Sequence, residues 1–239
     1  TYVGAYGFIY LLRILLVMKT HDPVNQYLIE QELSSGPEEL GLMSGSVWRD
    51  DPKRLVFSLA RYKFVAKMLS GSGDVVEVGC GDGFGSRIVR QEVNKLLVTD
   101  VDPLFIERFD NVEGAKWSIE AAVHDILDKP LGRRYDALYC LDVMEHIKKE
   151  KEETFLANIC RSLRDHGVAI IGMPSIESQT YASPESEEGH VNCKTGDRLR
   201  YSLNKYFNNV FVFSMNDEIV HTGFFPMAHY LIAVCCQKI

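Results

Sequence analysis

Glu77, Gly79, Gly81 and Gly83 stand at alternate positions at the end of a short apolar run, Val75-Val76-Glu77-Val78. Glycines spaced this way let the main chain approach a ligand where any Cβ would collide, so the stretch is a candidate cradle of the nucleotide-binding type. The spacing narrows the ligand. A dinucleotide fingerprint, G-x-G-x-x-G, counted from Gly79 needs a glycine where Phe84 stands, and counted from Gly81 needs one at Ser86. The pattern present is E-x-G-x-G-x-G. A carboxylate beside the cradle repels a pyrophosphate and attracts a cation, so the mouth suits a cationic ligand. Asp102 lies roughly twenty residues beyond the glycines, where a carboxylate can accept both hydroxyls of a ribose; the competing reading is a cap on a helix starting at Pro103. A histidine side chain titrates in the range a general base needs, and His146 and His190 are the candidates, with His146 the first choice, against the alternative that either one hydrogen-bonds a loop or the ligand. His221 is a third histidine, for which packing is preferred over a place facing the acceptor. No H-E-x-x-H or comparable ligand cluster is present, so no metal is expected.

These residues need a scaffold that brings strand ends to one edge. From Asp74 onward the pattern alternates strand and helix, as in a doubly wound parallel sheet: strands near 75–78, 95–100, 119–124, 136–140 and 168–172, with helices between them. Val210–Phe213 and Tyr230–Cys236 are two further strands with no helix-length pattern between them. So short a connection joins antiparallel neighbours. Upstream, Asp22-Pro23 and Asp51-Pro52 each read as a helix start, and the second opens an apolar stripe through Leu55, Val56, Leu59, Tyr62, Val65, Ala66 and Leu69. Residues 1–70 are therefore expected to form a helical cap, and 71–239 the ligand-binding domain. The polar run Pro174–Asn192, with Glu185, Glu187 and Glu188, is expected to be a solvated loop rather than an acceptor-binding insert.

A chain of 239 residues suits one α/β domain with an appendage. Its net charge of −7 and lack of a Lys/Arg cluster argue against a nucleic-acid partner. Cysteines 80, 140, 160, 193, 235 and 236 form no C-x-x-C pair and read as reduced core residues of a cytoplasmic protein. Val3–Met18 is apolar apart from Arg13 but shorter than the ~20 residues a membrane span requires. The preferred reading is a helix packed on the domain or on a second copy in a homodimer; contact with a membrane surface is the alternative, not favoured.

The stretch Val75–Gly83 resembles motif I of the class I S-adenosylmethionine-dependent methyltransferases, whose cofactor carries an ammonium and a sulfonium. The resemblance extends to Leu141-Asp142-Val143-Met144-Glu145-His146-Ile147, similar to the D-V-x-E-H segment of the small-molecule branch that includes the ubiquinone and menaquinone methyltransferases, and to Gly189-His190-Val191 with Thr195 and Leu199. It implies a Rossmann-like seven-stranded sheet with an antiparallel last strand. It further implies that Glu77, Gly79, Gly81, Gly83 and Leu141 line the cofactor, that Asp102 holds the ribose, that Asp125 bonds the adenine amino group, and that Ile126 packs on the ring. Phe84 departs from the small residue usual at its position. Trp48, Arg49, Arg54, Arg61 and Tyr62 align with no family template; an arginine there could meet the cofactor carboxylate or an anionic acceptor, and pairing with Asp50 or Asp51 is an equal alternative.

The expected activity is methyl transfer to a small acceptor, sugar-like or quinone-like. A nicotinamide-dependent oxidoreductase is the rival enzyme, disfavoured by the missing third glycine and by the C-terminal hairpin. A non-catalytic module that keeps the fold and recruits a partner is the remaining alternative.

Overall fold

The structure, a computed structural model, describes residues 19–107 and 116–239. The Val3–Met18 segment lies outside the described residues, as does the far end of the helix expected after Pro103. The chain divides into two compact units, Thr1–Glu39 and Leu40–Ile239. The helices over 42–68, expected in a cap with the preceding residues, thus group with the sheet.

In the first unit, Asp22 accepts from the Val24 amide (3.0 Å) and Pro23 opens a 3-10 turn, which leads into helix α1, Gln26–Ser35. Gly36, at φ +76°, ends it. None of the residues of α1 is buried.

The second unit opens with α2 (Leu42–Asp50) and α3 (Pro52–Met68). Asp51 caps α3 by accepting from the Lys53 amide, and Pro52 takes the first helical position, where its missing N–H costs nothing. Leu55, Val65, Ala66 and Leu69 of the expected stripe are buried, whereas Val56 faces solvent.

Eight strands follow among the described residues: β1 (Asp74–Val78), β2 (Lys95–Asp100), β3 (Glu120–Val123), β4 (Tyr135–Leu141), β5 (Leu163–Pro174), β6 (Phe207–Met215), β7 (Val220–His221) and β8 (Tyr230–Lys238). They form one sheet in the order β3-β2-β1-β4-β5-β8-β6-β7. The pairs among β1 to β5 are parallel, while β8 runs antiparallel to both β5 and β6. This is the doubly wound arrangement expected, with the reversed C-terminal strand. The eighth strand is the two-residue β7, too short to leave a period in the sequence.

Helices α4 (Ser86–Arg90), α5 (Pro103–Glu107), α6 (Glu152–Arg161), α7 (Pro184–Gly189) and α8 (Gly196–Leu203) are the remaining α-helices among the described residues. Phe155, Leu156 and Ile159 of α6 join Leu199 and Leu203 of α8 in one core cluster, and Val65, Ala66 and Leu69 join Val89 of α4 in the other. The sheet is therefore covered on both sides, which is why its central strands read as continuous apolar runs. The polar run 174–192 is more ordered than expected. Ser183 accepts from the Ser186 amide at 3.3 Å, Pro184 follows it, and acids fill the first turn, so α7 forms on capping chemistry instead of apolar periodicity.

Chain order reverses where β1 lies between β2 and β4, and in such sheets ligands bind beyond the carboxyl ends of the strands at that switch point. The glycine turn leaves β1 there.

Candidate functional site

Gly79, Gly81 and Gly83 take φ of +77°, +53° and +67°, a left-handed backbone that side-chain-bearing residues rarely adopt. Two of them also need the space. A Cβ on Gly79 would lie 2.4 Å from Val143 Cγ2, and one on Gly81 would lie 2.7 Å from Met43 Sδ. The turn is pinned by the Gly79 amide donating to the Thr99 carbonyl (2.8 Å) and the Gly81 amide to Asp100 (2.9 Å). Asp82 accepts from both the amide and the hydroxyl of Ser44, at 2.7 and 3.0 Å, which fastens the start of α2 over the turn.

Glu77 does not line this mouth. Its side chain is fully buried and accepts from Tyr62 of α3 (3.1 Å), Ser86 of α4 (2.5 Å) and Tyr139 of β4 (2.7 Å). Both oxygens are occupied by protein hydroxyls, so direct contact with a cationic ligand is not what this arrangement offers. The carboxyl instead ties β1, α3, α4 and β4 together beneath the glycine turn. Burial pushes it up to about 7, further than the three hydroxyls pull it down.

The acids at the next strand ends divide similarly. Asp100 is nearly buried and bridges the Gly81 and Asp102 amides. Asp102 is exposed and one of its oxygens caps α5 through the Leu104 amide at 2.9 Å, so the capping role is present alongside any ligand role. Asp125 is exposed and accepts from the Leu127 amide at 2.8 Å. Ile126 is buried within the core on the α6 side, where its carbonyl accepts from Asn158; its side chain presents no open face to a ring. Leu141 ends β4 buried, packed where a Cβ on Gly172 would stand.

Beyond β4 the chain makes a tight excursion. Asp142 sits at φ +57°, uncommon for a residue with a side chain, and pairs with Arg61 at 2.5 Å. The Arg61 guanidinium lies 3.8 Å from the centre of the Tyr230 ring and 4.5 Å from that of Phe57. This arginine of the unaligned group is therefore spent on Asp142 rather than on Asp50 or Asp51. Val143 packs against Gly79, and Met144–His146 form a 3-10 turn. Within it Glu145 is buried and neither carboxylate oxygen has a hydrogen-bond partner. Burial and then Asp142 push this carboxyl well above the usual range.

His146 and His190 are brought together, their rings 5.1 Å apart and edge to face. His146 Nδ1 lies 3.0 Å from the Gly189 carbonyl, and His190 Nδ1 lies 2.8 Å from Gln179 Oε1. Burial, then His146, holds His190 below the ordinary imidazole range. One ligand atom each from Glu145, His146 and His190 lies within 4.8 Å of the others, a grouping able to hold a metal ion. No motif signalled it, because His190 reaches the other two from beyond β5. His221 lies apart, in β7, where its Nδ1 accepts from the Gly223 amide. On the same carboxyl edge a cavity of about 470 Å³ is lined by Glu177, Thr195, Asp197, Phe224 and Phe225 among others.

Sequence reasoning missed Tyr62 and Tyr139 as partners of Glu77, the Asp82–Ser44 tie, and Glu145. Only Glu145 carried a signal, a carboxylate inside a segment already singled out for its histidine.

Comparison with known proteins fits this geometry. Residues 75–167, from β1 to the start of β5, match the family model described as a methyltransferase domain. The match spans 93 of the 239 residues and, with the fold, supports methyl transfer with S-adenosylmethionine as the cofactor. Its matched relatives include the ubiquinone biosynthesis O-methyltransferase of Rickettsia bellii (strain OSU 85-389), 26% identical over 145 residues, covering 57% of this chain and 56% of that protein. The chain thus spans just over half the length of that relative. Among solved structures, the N-methyltransferase NodS from Bradyrhizobium japonicum WM9 in complex with S-adenosyl-l-homocysteine superposes with a TM-score of 0.59 at 17% identity, over 80% of this chain and 91% of NodS. A TehB-like S-adenosylmethionine-dependent methyltransferase from Corynebacterium glutamicum gives 0.55 at 19% identity, over 90% and 97%. At such identities the superpositions establish the fold alone.

Proposed function

We propose that the chain transfers a methyl group from S-adenosylmethionine to a small-molecule acceptor, quinone-like or sugar-like, at the carboxyl edge of the sheet. The observation that carries this reading is the glycine turn itself. Three alternate left-handed glycines leave a Cβ-free cradle at the switch point between β1 and β4, inside the segment that matches a methyltransferase domain. When bound, the cofactor supplies an electrophilic methyl on sulfonium.

The chain's own residues supply position. The cradle of Gly79, Gly81 and Gly83 takes the cofactor's amino-acid end, with Glu77 acting on it only as a charge below the turn. Asp102, exposed at the end of β2, holds the ribose while keeping its cap on α5. Asp125, exposed after β3, takes the adenine amino group, and Leu141 backs the cradle from the end of β4. Ile126 shapes the core beneath and leaves the ring face to other residues. His146 and His190 handle the acceptor's proton or its charge. Positioning of this kind is worth ~7 to 11 kcal/mol of a bimolecular barrier. A quinone-like acceptor draws support from the ubiquinone-pathway relative.

Among the described residues no helix is long and apolar enough to cross a membrane. The oligomeric reading and the membrane-surface reading both rest on Val3–Met18.

Calorimetry with S-adenosylhomocysteine and NAD in parallel tests the function. Saturable heat from S-adenosylhomocysteine alone is expected; heat from NAD alone would replace this reading with the oxidoreductase one.

A further inference from the structure

Glu145 poses a problem that the methyl-transfer chemistry leaves unsolved. It is fully buried, both its oxygens lack hydrogen-bond partners, and the like charge of Asp142, three residues before it in the chain, opposes its ionisation. Arg61 already bonds Asp142, so two carboxylates and one guanidinium leave this corner one negative charge in excess when Glu145 is ionised. A buried carboxylate without a partner is costly, and such groups are retained where a proton or a cation completes them.

The two histidines indicate which. The Gly189 carbonyl can only accept, so His146 Nδ1 must carry the proton in that bond. Gln179 donates its amide nitrogen to the Ser175 carbonyl at 3.1 Å, which fixes its oxygen toward His190; His190 Nδ1 is therefore also the donor. In the neutral form, both rings are held in the tautomer that leaves Nε2 with a free lone pair. An imidazole whose Nδ1–H is bonded to a carbonyl or carboxamide oxygen is the usual outer support of a metal-ligating histidine.

We propose that Glu145, His146 and His190 form a divalent-cation site beside the glycine turn, and that the bound cation takes an oxygen of the acceptor as a further ligand. Two imidazoles and one carboxylate suit Zn²⁺, Co²⁺ or Mn²⁺ better than Ca²⁺. One ring nitrogen from each histidine and one carboxylate oxygen lie within 4.8 Å of one another, wider than the ligands of a bound ion, so the group closes on binding. Val143 joins the two sites: it packs on Gly79 and is followed directly by Met144–His146.

The consequence deepens the methyl-transfer reading, on which it rests, by naming the acceptor class: a hydroxyl. Bound to the cation, the hydroxyl loses its proton to solvent near neutral pH. Its oxygen then forms the new bond to the methyl carbon as the carbon–sulfur bond of the donor breaks.

The test is a titration of the EDTA-treated full chain with Co²⁺, followed by visible absorption, and with Zn²⁺ by calorimetry. One saturable site per chain is expected, with Zn²⁺ displacing Co²⁺. Glu145→Gln should abolish the absorption. Gln179→Ala, which removes the outer support of His190 together with the bonds of Gln179 to Ser175 and Ser178 but no metal ligand, should weaken metal binding by about 10-fold. Heat from S-adenosylhomocysteine should be unchanged in both variants, which also verifies that they fold. No saturable metal signal below about 1 mM in the wild-type chain overturns the site, as does a signal that survives Glu145→Gln in a chain still binding S-adenosylhomocysteine. If Glu145→Gln does not fold, the wild-type titration and Gln179→Ala decide. Metal binding by a wild-type chain that ignores S-adenosylhomocysteine would retain the site and refute the methyltransferase reading instead.

Discussion

Glu77 and Glu145 are the same side chain at the same 0% exposure, one in β1 and the other just beyond the end of the neighbouring β4, and their surroundings are opposite. Glu77 receives three hydroxyl donors from three elements; Glu145 receives none. A carboxylate that the chain has fully supplied with donors is part of the scaffold. One that the chain has buried and left unsupplied is kept for something the chain does not contain. The comparison separates residues that shape the cofactor cradle from those that act on a ligand.

Replacing each by methionine puts this to the strongest test. Glu77→Met leaves the buried hydroxyls of Ser86 and Tyr139 and the half-buried one of Tyr62 without their acceptor, and each orphaned group costs on the order of 1 to 3 kcal/mol, so a loss of roughly 3 kcal/mol or more is expected in urea unfolding. Glu145→Met removes an unpaired carboxyl and orphans nothing, so the metal-free chain should be unchanged or more stable by ~1 to 3 kcal/mol. Similar losses in both would erase the distinction.

The pH dependence sharpens it. The folded chain holds the Glu77 carboxyl at about 7, above its unfolded value of 4.5, so the folded state binds the extra proton between these limits. Stability from this group is complete below pH 4.5 and is lost as pH rises through about 7, an effect of about 3 kcal/mol. Glu77→Gln should flatten that fall in melting experiments run from pH 4.5 to 8, and a persistent slope would assign the titration to another group.

Two exposed or half-exposed acids extend the comparison to smaller effects. Asp102→Ala should weaken S-adenosylhomocysteine binding by roughly 1 to 3 kcal/mol, as for lost hydrogen bonds to a charged group. Unchanged affinity would leave Asp102 as the cap of α5 alone. Asp82, supplied by Ser44, belongs with Glu77 on the scaffold side, so Asp82→Ala should cost only ~1 kcal/mol of stability, measured by thermal shift, through loss of its side-chain cap on α2.

The sheet was legible in the sequence because each long strand left a period or an apolar run, and the reversed end was legible in the short spacing between Phe213 and Tyr230. The two strands that flank this gap are β6, which runs on to Met215, and β8, with the two-residue β7 hidden between them. Helix α7 was missed because its signal is a cap, Ser183-Pro184, and not a stripe. At the site, the glycines and the exposed acids were legible because backbone freedom and strand-end position are local properties. Burial is not local. Nothing in the order of residues shows that Tyr62 and Tyr139 converge on Glu77, turning an expected ligand contact into a structural anchor. The meeting of Glu145, His146 and His190 depends likewise on how the segment after β5 folds back toward the end of β4.

A crystal structure of the complex with S-adenosylhomocysteine tests the central claim most directly. The sugar is expected against Asp102, the adenine beside Asp125 and the amino-acid end over Gly79 to Gly83, with Glu77 still bonded to its three hydroxyls. A ligand bound away from the glycine turn, or Asp102 turned from the sugar toward α5 alone, would contradict it.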